Sequence, residues 1–137
     1  MTVGFTGTSQ GMSTVQNTTL LKLLRDLKVT TIHHGDCIGS DASLHKLARY
    51  TRLRIYIHPP SITKKRAFCL DAHHVFGDKP YTERNRAIVV AGVDGLIATP
   101  AEFSEQQRFG TWSTVRYARK MKRKIWIILP DGTIREE

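Results

Sequence analysis

The sequence has only two cysteines, and it has neither a long apolar run nor a leader-like N-terminus. Cys37 and Cys69 lie far apart and fit neither a CxxC motif nor a zinc-finger spacing, so we expect reduced thiols. No segment approaches about 18 consecutive apolar residues, which argues against a membrane-spanning helix. The first residues lack a basic segment followed by an apolar core, which argues against a secretion signal. These absences together predict a cytoplasmic protein with no membrane partner.

Acidic residues are also scarce. The 137-residue chain has 21 Lys and Arg against 12 Asp and Glu, a net charge of +9, and this excess indicates an anionic partner. Residues 42–70 carry seven basic side chains and no acid, and the run RYARKMKRK at 116–124 carries six. Solvated helix faces would explain the same runs. Single-stranded nucleic acid is a weaker alternative, because the basic runs lack the interleaved aromatic residues of a stacking platform.

Apolar runs alternate with helical patterns along the chain. Strands are predicted at 2–6, 29–34, 53–58, 94–99 and 124–129, whereas residues 61–80 show no clear pattern. Ser13 and Gln16 have capping-box spacing before the first helix, and Val115, Ala118 and Met121 predict the inner side of the last one. Strands that are apolar on both faces are typical of a parallel sheet covered by helices. The chain is therefore predicted to form one domain, residues 1–137, with a Rossmann-like, doubly wound parallel α/β sheet sandwiched by helices.

In such a sheet, ligands bind beyond the carboxyl ends of the strands. The loops that leave those ends are TGTSQGM, HHGDCIGSD, HPPS and TPAEFSEQQRFGT, and three of them contain glycine with Ser, Thr or Asp close before a helix. A helix N-terminus offers unpaired N–H groups and partial positive charge to an anion, and glycine lets the backbone approach it. A glycine turn with a capped helix is the alternative for each loop. Neither GxGxxG nor GxxxxGK[ST] is present, which disfavours dinucleotide dehydrogenases and P-loop NTPases.

Six segments in order resemble the SLOG superfamily: VGFTGTSQGM, HHGDCIGSD, IHPP, YTERN, DGLIATP and GTWSTVRYAR. That superfamily includes the LOG phosphoribohydrolases, the molybdenum-cofactor carrier protein and the DNA-processing protein DprA. The resemblance extends from Val3 to Leu129, with 61–80 as the exception. It implies a Rossmann-like fold, a nucleotide or ADP-ribose-type ligand held by the loops, and a homo-oligomer, a dimer or larger.

The resemblance also implies a set of nucleotide-binding residues. Arg84 matches an arginine that contacts phosphate and sugar, a role suited to its planar, two-pronged guanidinium, although an exposed helix arginine is the alternative. Asp36 is expected either to accept from ribose hydroxyls or to cap a turn, and Trp112 either to pack or to stack on a base. The complete predicted set is Gly7, Thr8, Ser9, Gln10, Gly35, Asp36, Gly39, Asp41, Tyr81, Arg84, Asn85, Thr99, Pro100, Gly110, Thr111, Trp112 and Thr114.

One departure from the family bears on catalysis. The LOG motif PGGxGTxxE ends in a catalytic glutamate, and the segment GTWST places Thr114 at that position. A threonine hydroxyl neither stabilises an oxocarbenium ion nor acts as a base near neutral pH, so the sequence favours a protein that is not an enzyme. Three other carboxylates are alternatives on geometric grounds, namely Glu83, Glu102 and Glu105.

No metal or cofactor is predicted. His33 and His34 are adjacent on a strand and should point to opposite faces, and His73 and His74 are expected to be ordinary loop residues.

Three functions are then consistent with the sequence. The first is binding of a nucleotide-derived signal, ADP-ribose-like or a cyclic nucleotide, for sensing or sequestration without turnover, as in a phage-encoded sponge. The others are LOG-type hydrolysis and DprA-like binding of single-stranded DNA.

Overall fold

The structure, a computed structural model, describes residues 1–108 and 110–137. Its strands are β1 (Thr2–Gly7), β2 (Thr31–His34), β3 (Arg54–Ile57), β4 (His74–Val75), β5 (Leu96–Thr99), β6 (Ile125–Ile128) and β7 (Ile134–Glu136). Its helices are α1 (Thr14–Asp26), α2 (Ser40–Tyr50), α3 (Tyr81–Ala91) and α4 (Gly110–Lys120). These strands form one sheet in the order β4-β3-β2-β1-β5-β6-β7. All neighbouring pairs are parallel except β6 and β7.

The sheet is covered on both faces, as a parallel sheet with apolar strands requires. Leucines of α1 and α2, among them Leu20 and Leu44, pack with Phe5 on one face. Ile88 of α3 and Val115 of α4 belong to the apolar cluster on the other face. Burial of these side chains on each face is the main favourable contribution to the stability of the sandwich. The predicted Rossmann-like, doubly wound α/β architecture is confirmed.

The sequence located the elements well and their ends less well. The capping box at α1 is confirmed, because the Ser13 hydroxyl accepts from the Gln16 amide at 3.1 Å and Gln16 Oε1 accepts from the Ser13 amide at 2.9 Å. The prediction for Met121 was wrong: it follows the last residue of α4 and is 38% exposed. Phe109, in the loop predicted before α4, lies outside the described residues.

Two strands were not predicted. β4 has two residues and lies in the segment 61–80, where no alternating pattern marks it. β7 is exposed along its length and adds an antiparallel edge to β6 after a turn at Gly132. Such short polar strands are stabilised by pairing with an existing edge, so their own side chains give little signal.

The strand order reverses at β1, which separates β2 on one side from β5 on the other. Connections on the two sides of β1 lead to opposite faces of the sheet, and a crevice opens between them at the carboxyl ends of the strands. In the described part of the chain, every helix is too short or too polar to cross a bilayer.

Candidate functional site

A cavity of about 590 Å³ occupies this crevice. It is formed by β1 and the loop after it, the loop between β2 and α2 with the start of α2, the loop after β5, the first two turns of α3 and the first turn of α4. One residue from the segment 61–80 completes the wall. Its volume falls in the range of about 300–1,000 Å³ that is typical of small-molecule sites. The lining residues are Phe5, Thr6, Gly7, Thr8, Ser9, Gln10, Gly35, Cys37, Asp41, Lys65, Tyr81, Arg84, Asn85, Ile88, Glu102, Gly110 and Thr111.

The cavity brings together eleven of the predicted site residues. These are Gly7, Thr8, Ser9, Gln10, Gly35, Asp41, Tyr81, Arg84, Asn85, Gly110 and Thr111. The other predicted residues do not line it, namely Asp36, Gly39, Thr99, Pro100, Trp112 and Thr114. Sequence reasoning missed Phe5, Thr6, Cys37, Lys65 and Ile88, and it named Glu102 only as an alternative carboxylate.

Arg84 is a buried cation in the cavity wall. It is 7% exposed, its Nη1 donates to the Gly35 carbonyl at 2.5 Å, and its Nε donates to Asn85 Oδ1 at 2.8 Å. A Cβ at Gly35 would lie 2.4 Å from Nη1, so a larger residue there would displace the guanidinium from this position. Among the described residues, no carboxylate oxygen lies within 4.0 Å of this guanidinium. The burial excludes the alternative of an exposed helix arginine.

Asp41 contributes a carboxylate to the same wall. It lies in the first turn of α2, is 5% exposed, and its Oδ2 accepts from the Cys37 amide at 3.0 Å. Within the described residues, Oδ1 has no hydrogen-bond partner. Burial raises the pKa of Asp41 from 3.8 to about 6, while the charge of Arg84 acts in the opposite direction. The carboxyl group is therefore mostly ionised at neutral pH and becomes protonated under mildly acidic conditions.

Asp36 has a role that neither sequence alternative anticipated. It is fully buried, and its two oxygens accept from Arg66 Nε and from the Cys69 amide, each at 2.9 Å. Its carbonyl accepts from the Ala67 amide at 2.7 Å, and the Ile38 amide donates to the Lys65 carbonyl at 2.8 Å. These bonds fold part of the segment 61–80 against the loop after β2. Asp36 thus anchors the stretch that carries Lys65 to the cavity, instead of facing the cavity itself.

Only one of the three predicted helix starts is open toward the cavity in the described residues. At α1 the capping box occupies the first turn. At α2 the Ser40 amide and hydroxyl both donate to the Thr8 carbonyl, at 3.0 Å and 2.8 Å. At α4, Gly110 and Thr111 line the cavity, and first-turn amides have no acceptor within their own helix. Of these three helix starts, that of α4 is therefore the best placed to bind an anion.

The glycines serve different purposes in the three loops. A Cβ at Gly7 would lie 2.3 Å from Thr99 Oγ1 and 2.4 Å from Ser40 Cβ, and one at Gly39 would lie 2.4 Å from the Ser9 carbonyl oxygen. These two glycines allow the loops after β1 and β2 to pack against each other. A Cβ at Gly110 would meet no atom within 4 Å, so the backbone there faces open space.

Trp112 and Thr114 lie on the buried side of α4. The Trp112 ring is fully buried, as the packing alternative predicted, and its Nε1 donates to Glu102 Oε1 at 2.8 Å. This bond orients Glu102, which lines the cavity. The Thr114 hydroxyl donates to the Gly110 carbonyl at 2.8 Å and is used within the helix. Pro100 is also used internally, since its carbonyl accepts from Gln16 Nε2 at 2.8 Å.

The histidines form two buried pairs. His33 Nδ1 lies 2.8 Å from His58 Nε2, and His34 Nε2 lies 2.9 Å from His45 Nδ1. The separate partners agree with the prediction that His33 and His34 point to opposite faces of the sheet.

One of these pairs belongs to a possible metal-ligand set: donor atoms of His34, His45 and Cys69 lie within 4.8 Å of one another. The Asp36 amide donates to His34 Nδ1, so the proton of His34 is on Nε2, which donates to His45 Nδ1. His45 Nε2 then donates to the Leu70 carbonyl at 2.6 Å. Burial raises the pKa of the Cys69 thiol to about 12. With the ring nitrogens bonded and the thiol protonated, we interpret the cluster as a structural relay.

The basic run at 116–124 is engaged in intramolecular bonds. Arg116 donates to Glu105 Oε2 at 3.2 Å and to the Gln106 carbonyl at 2.9 Å. Arg119 pairs with Glu105 and with Glu137, and Arg123 donates to backbone carbonyls of α3. Three of the six basic side chains in this run therefore stabilise the fold, which weakens the case for a continuous nucleic-acid surface there.

The chain matches no protein-family model and no curated protein sequence. Among solved structures, its fold is similar to that of the molybdenum cofactor binding protein from the phototrophic bacterium Rippkaea orientalis, with a TM-score of 0.71 and 20% sequence identity. The match covers 93% of this chain and 76% of that chain. At this identity the similarity shows the fold, which is consistent with the SLOG-like architecture that the motifs imply.

Proposed function

We propose that this protein binds a nucleotide-derived anion, of the ADP-ribose or cyclic-nucleotide type, and senses or sequesters it without turnover. The observation that carries the proposal is Arg84, which is 7% exposed in the wall of a 590 Å³ cavity. A buried guanidinium without a carboxylate in contact is costly, and a bound phosphate would compensate it through a short, charge-assisted pair.

Two further donors support an anionic ligand. Lys65 brings a second cation to the cavity, and the first turn of α4 brings backbone amides at Gly110 and Thr111. Ile88 and Phe5 give the same cavity an apolar part against which a base or sugar would pack. A phosphate-bearing nucleotide fits this combination better than a purely apolar ligand or a cation.

Hydrolysis is the second candidate, favoured by one specific observation. Glu102 lines the cavity and is oriented by Trp112, so a carboxylate is present although Thr114 replaces the family's glutamate. Of the other two alternatives, Glu105 pairs with arginines outside the cavity and Glu83 does not line it. Binding without turnover remains our preferred reading, because the Thr114 hydroxyl bonds to its own helix and supplies no chemistry.

Calorimetric titration tests the proposal. The panel contains ADP-ribose, cyclic ADP-ribose isomers, cyclic dinucleotides, adenosine 5′-monophosphate and, because of the structural neighbour, the molybdenum cofactor. We expect at least one nucleotide to bind and Arg84→Gln to weaken it tenfold or more, since a charged hydrogen bond contributes about 1.5–3 kcal/mol. Arg86→Gln is the matched control, because Arg86 lies in the same helix, is exposed and does not line the cavity.

Four outcomes would contradict all or part of this proposal. Failure of the whole panel to bind would reject it. Equal losses of nucleotide affinity for Arg84→Gln and Arg86→Gln would contradict a specific role for Arg84. Chromatography of each bound nucleotide after incubation with the protein would detect any product. A product would show hydrolysis and contradict sequestration without turnover. Preference for single-stranded DNA with a steep salt dependence would favour the DprA-like alternative.

A further inference from the structure

The carboxylate of Asp41 has one oxygen that the fold leaves unsatisfied. Its Oδ2 accepts from the Cys37 amide, whereas its Oδ1 has no partner among the described residues, although the side chain is 95% buried. Buried polar atoms in folded proteins are nearly always hydrogen-bonded, and an exception points to a missing partner. Asp41 lines the cavity, while Oδ1 itself has almost no exposed surface, so a ligand reaches this oxygen after a small movement of the carboxylate toward the cavity.

The missing partner must be a donor, and it must lie beside the anion site. Asp41 on α2 and Arg84 on α3 contact the same short loop, Asp41 through the Cys37 amide and Arg84 through the Gly35 carbonyl. The cavity thus presents a cationic donor and an anionic acceptor at neighbouring positions. Sugar phosphates carry the complementary pair, an anionic group with hydroxyl donors a few bonds away.

We propose that Asp41 determines specificity by accepting a hydrogen bond from a sugar hydroxyl of the ligand whose anionic group is bound at Arg84. This inference rests on the proposed function and adds what the ligand must carry: a free hydroxyl on the sugar next to the phosphate. A nucleobase amino group is the competing donor, and ligands that differ only in sugar hydroxyls separate the two.

The charged groups around Asp41 make it a good acceptor at neutral pH. Burial and the charge of Asp36 in the adjacent loop favour the protonated form, whereas Arg84 of α3 and the backbone amides of Cys37 and Gly35 favour the ionised form. At the start of α2 beside it, the Ser40 amide is already bonded to the Thr8 carbonyl. With a pKa of about 6, the Asp41 carboxylate becomes protonated in mild acid and then no longer offers a charged acceptor.

The test compares adenosine 5′-monophosphate with 2′,3′-dideoxyadenosine 5′-monophosphate by calorimetric titration. The wild-type protein is expected to prefer the hydroxyl-bearing probe tenfold or more, as expected for a hydrogen bond to a charged acceptor. Asp41→Asn should abolish most of this preference while leaving affinity for the dideoxy probe within about threefold. Glu83→Gln is the matched control, because Glu83 is an exposed first-turn acid of α3 outside the cavity.

The outcomes separate the two proposals. Equal affinity of the wild-type protein for both probes, or equal loss of both on Asp41→Asn, would overturn the role of Asp41 alone. Binding of other panel nucleotides without any binding of adenosine 5′-monophosphate would do the same. Failure of every nucleotide to bind would overturn the proposed function and this inference with it.

A second measurement needs no variant and covers the case in which Asp41→Asn does not fold. The preference of the wild-type protein for the hydroxyl-bearing probe is measured at pH 7.5 and at pH 5. It should fall at least threefold as Asp41 becomes protonated, and the titration of the phosphate cancels because both probes carry it. A preference that is unchanged over this range would overturn the inference.

Discussion

The histidine relay behind the cavity predicts a specific loss of stability in mild acid. The relay runs from the Asp36 amide to His34 Nδ1, from His34 Nε2 to His45 Nδ1, and from His45 Nε2 to the Leu70 carbonyl. It joins the cavity loop after β2 to α2 and to the segment 61–80. A second proton on His34 would place a donor against the Asp36 amide, so the folded state resists protonation.

The magnitude follows from the pKa values. Burial, reinforced by His45, lowers the pKa of His34 from 6.5 to about 3, and burial with His33 lowers that of His58 to a similar value. Between these pKa values the two histidines are protonated in the unfolded chain and neutral in the native state. The free energy of unfolding that is present above pH 6.5 therefore decreases as the pH falls toward 3. Between pH 7 and pH 5 each histidine accounts for a loss of about 2 kcal/mol in the free energy of unfolding.

Asp41 acts in the opposite direction over the same range. Its pKa is raised from 3.8 to about 6, so the native state takes up a proton that the unfolded chain does not yet bind at pH 5. This proton uptake adds about 1 kcal/mol to the free energy of unfolding at pH 5. The net expected decrease in the free energy of unfolding between pH 7 and pH 5 is about 2–3 kcal/mol.

Urea unfolding at pH 7 and pH 5 measures this loss, with fluorescence of the buried Trp112 and Trp126 as the signal. His34→Asn removes one titrating group, so the pH-dependent loss should shrink by about 2 kcal/mol even if the variant is less stable at both pH values. His74→Asn, at an exposed position, is the control and should keep nearly the full dependence, because the charge of His74 is a minor cause of the lowered pKa of His58. Equal stability of the wild-type protein at both pH values, or an undiminished dependence in His34→Asn, would refute the reasoning.

Two further predictions concern the cavity wall and the first helix. Gly35→Ala places a Cβ 2.4 Å from Arg84 Nη1, so the guanidinium must move; we expect tenfold weaker nucleotide binding in calorimetry, and unchanged affinity would contradict this seat for Arg84. Ser13→Ala removes the acceptor for the Gln16 amide and a 2.7 Å bond to the Pro130 carbonyl, and it should lower the urea-derived free energy of unfolding by about 1–2 kcal/mol. Thr18→Ala, at an exposed position of the same helix, should change that free energy by less than about 0.5 kcal/mol.

The architecture was accessible from the sequence because its signals are local. Each central strand is a short apolar run between turn residues, and the Ser13–Gln16 spacing marks the start of α1. Alternation of such strands with helices restricts the topology to a doubly wound sheet. β4 and β7 were not predicted because they are exposed edge strands, whose conformation depends on the neighbouring strand more than on their own residues.

The site was predictable in position and less so in detail. The crevice at the carboxyl ends follows from the topology, and residues of α3 and α4 that the sequence singled out line the cavity there. Lys65 was missed because only the tertiary bonds from Asp36 to Arg66 and Cys69 bring its segment there. The packing of Trp112 was visible in principle, since Val115 and Ala118 follow it at helical spacing on the buried side of α4.

Glycine-rich loops beside a helix suggest a backbone cradle for phosphate. In two of these loops, however, the glycines allow the loops to pack against each other. Gly7 and Gly39 permit close packing between loops, and the Thr8 carbonyl already occupies the start of α2. In the proposed function, the anion would therefore be bound by the side chains of Arg84 and Lys65 and by the amides of α4. Such a site would be more selective than a backbone cradle, because Arg84 beside Asp41 would favour a ligand that carries both an anion and a hydrogen-bond donor. The chemistry that distinguishes this protein thus lies in its charged residues, and its glycines make room for them.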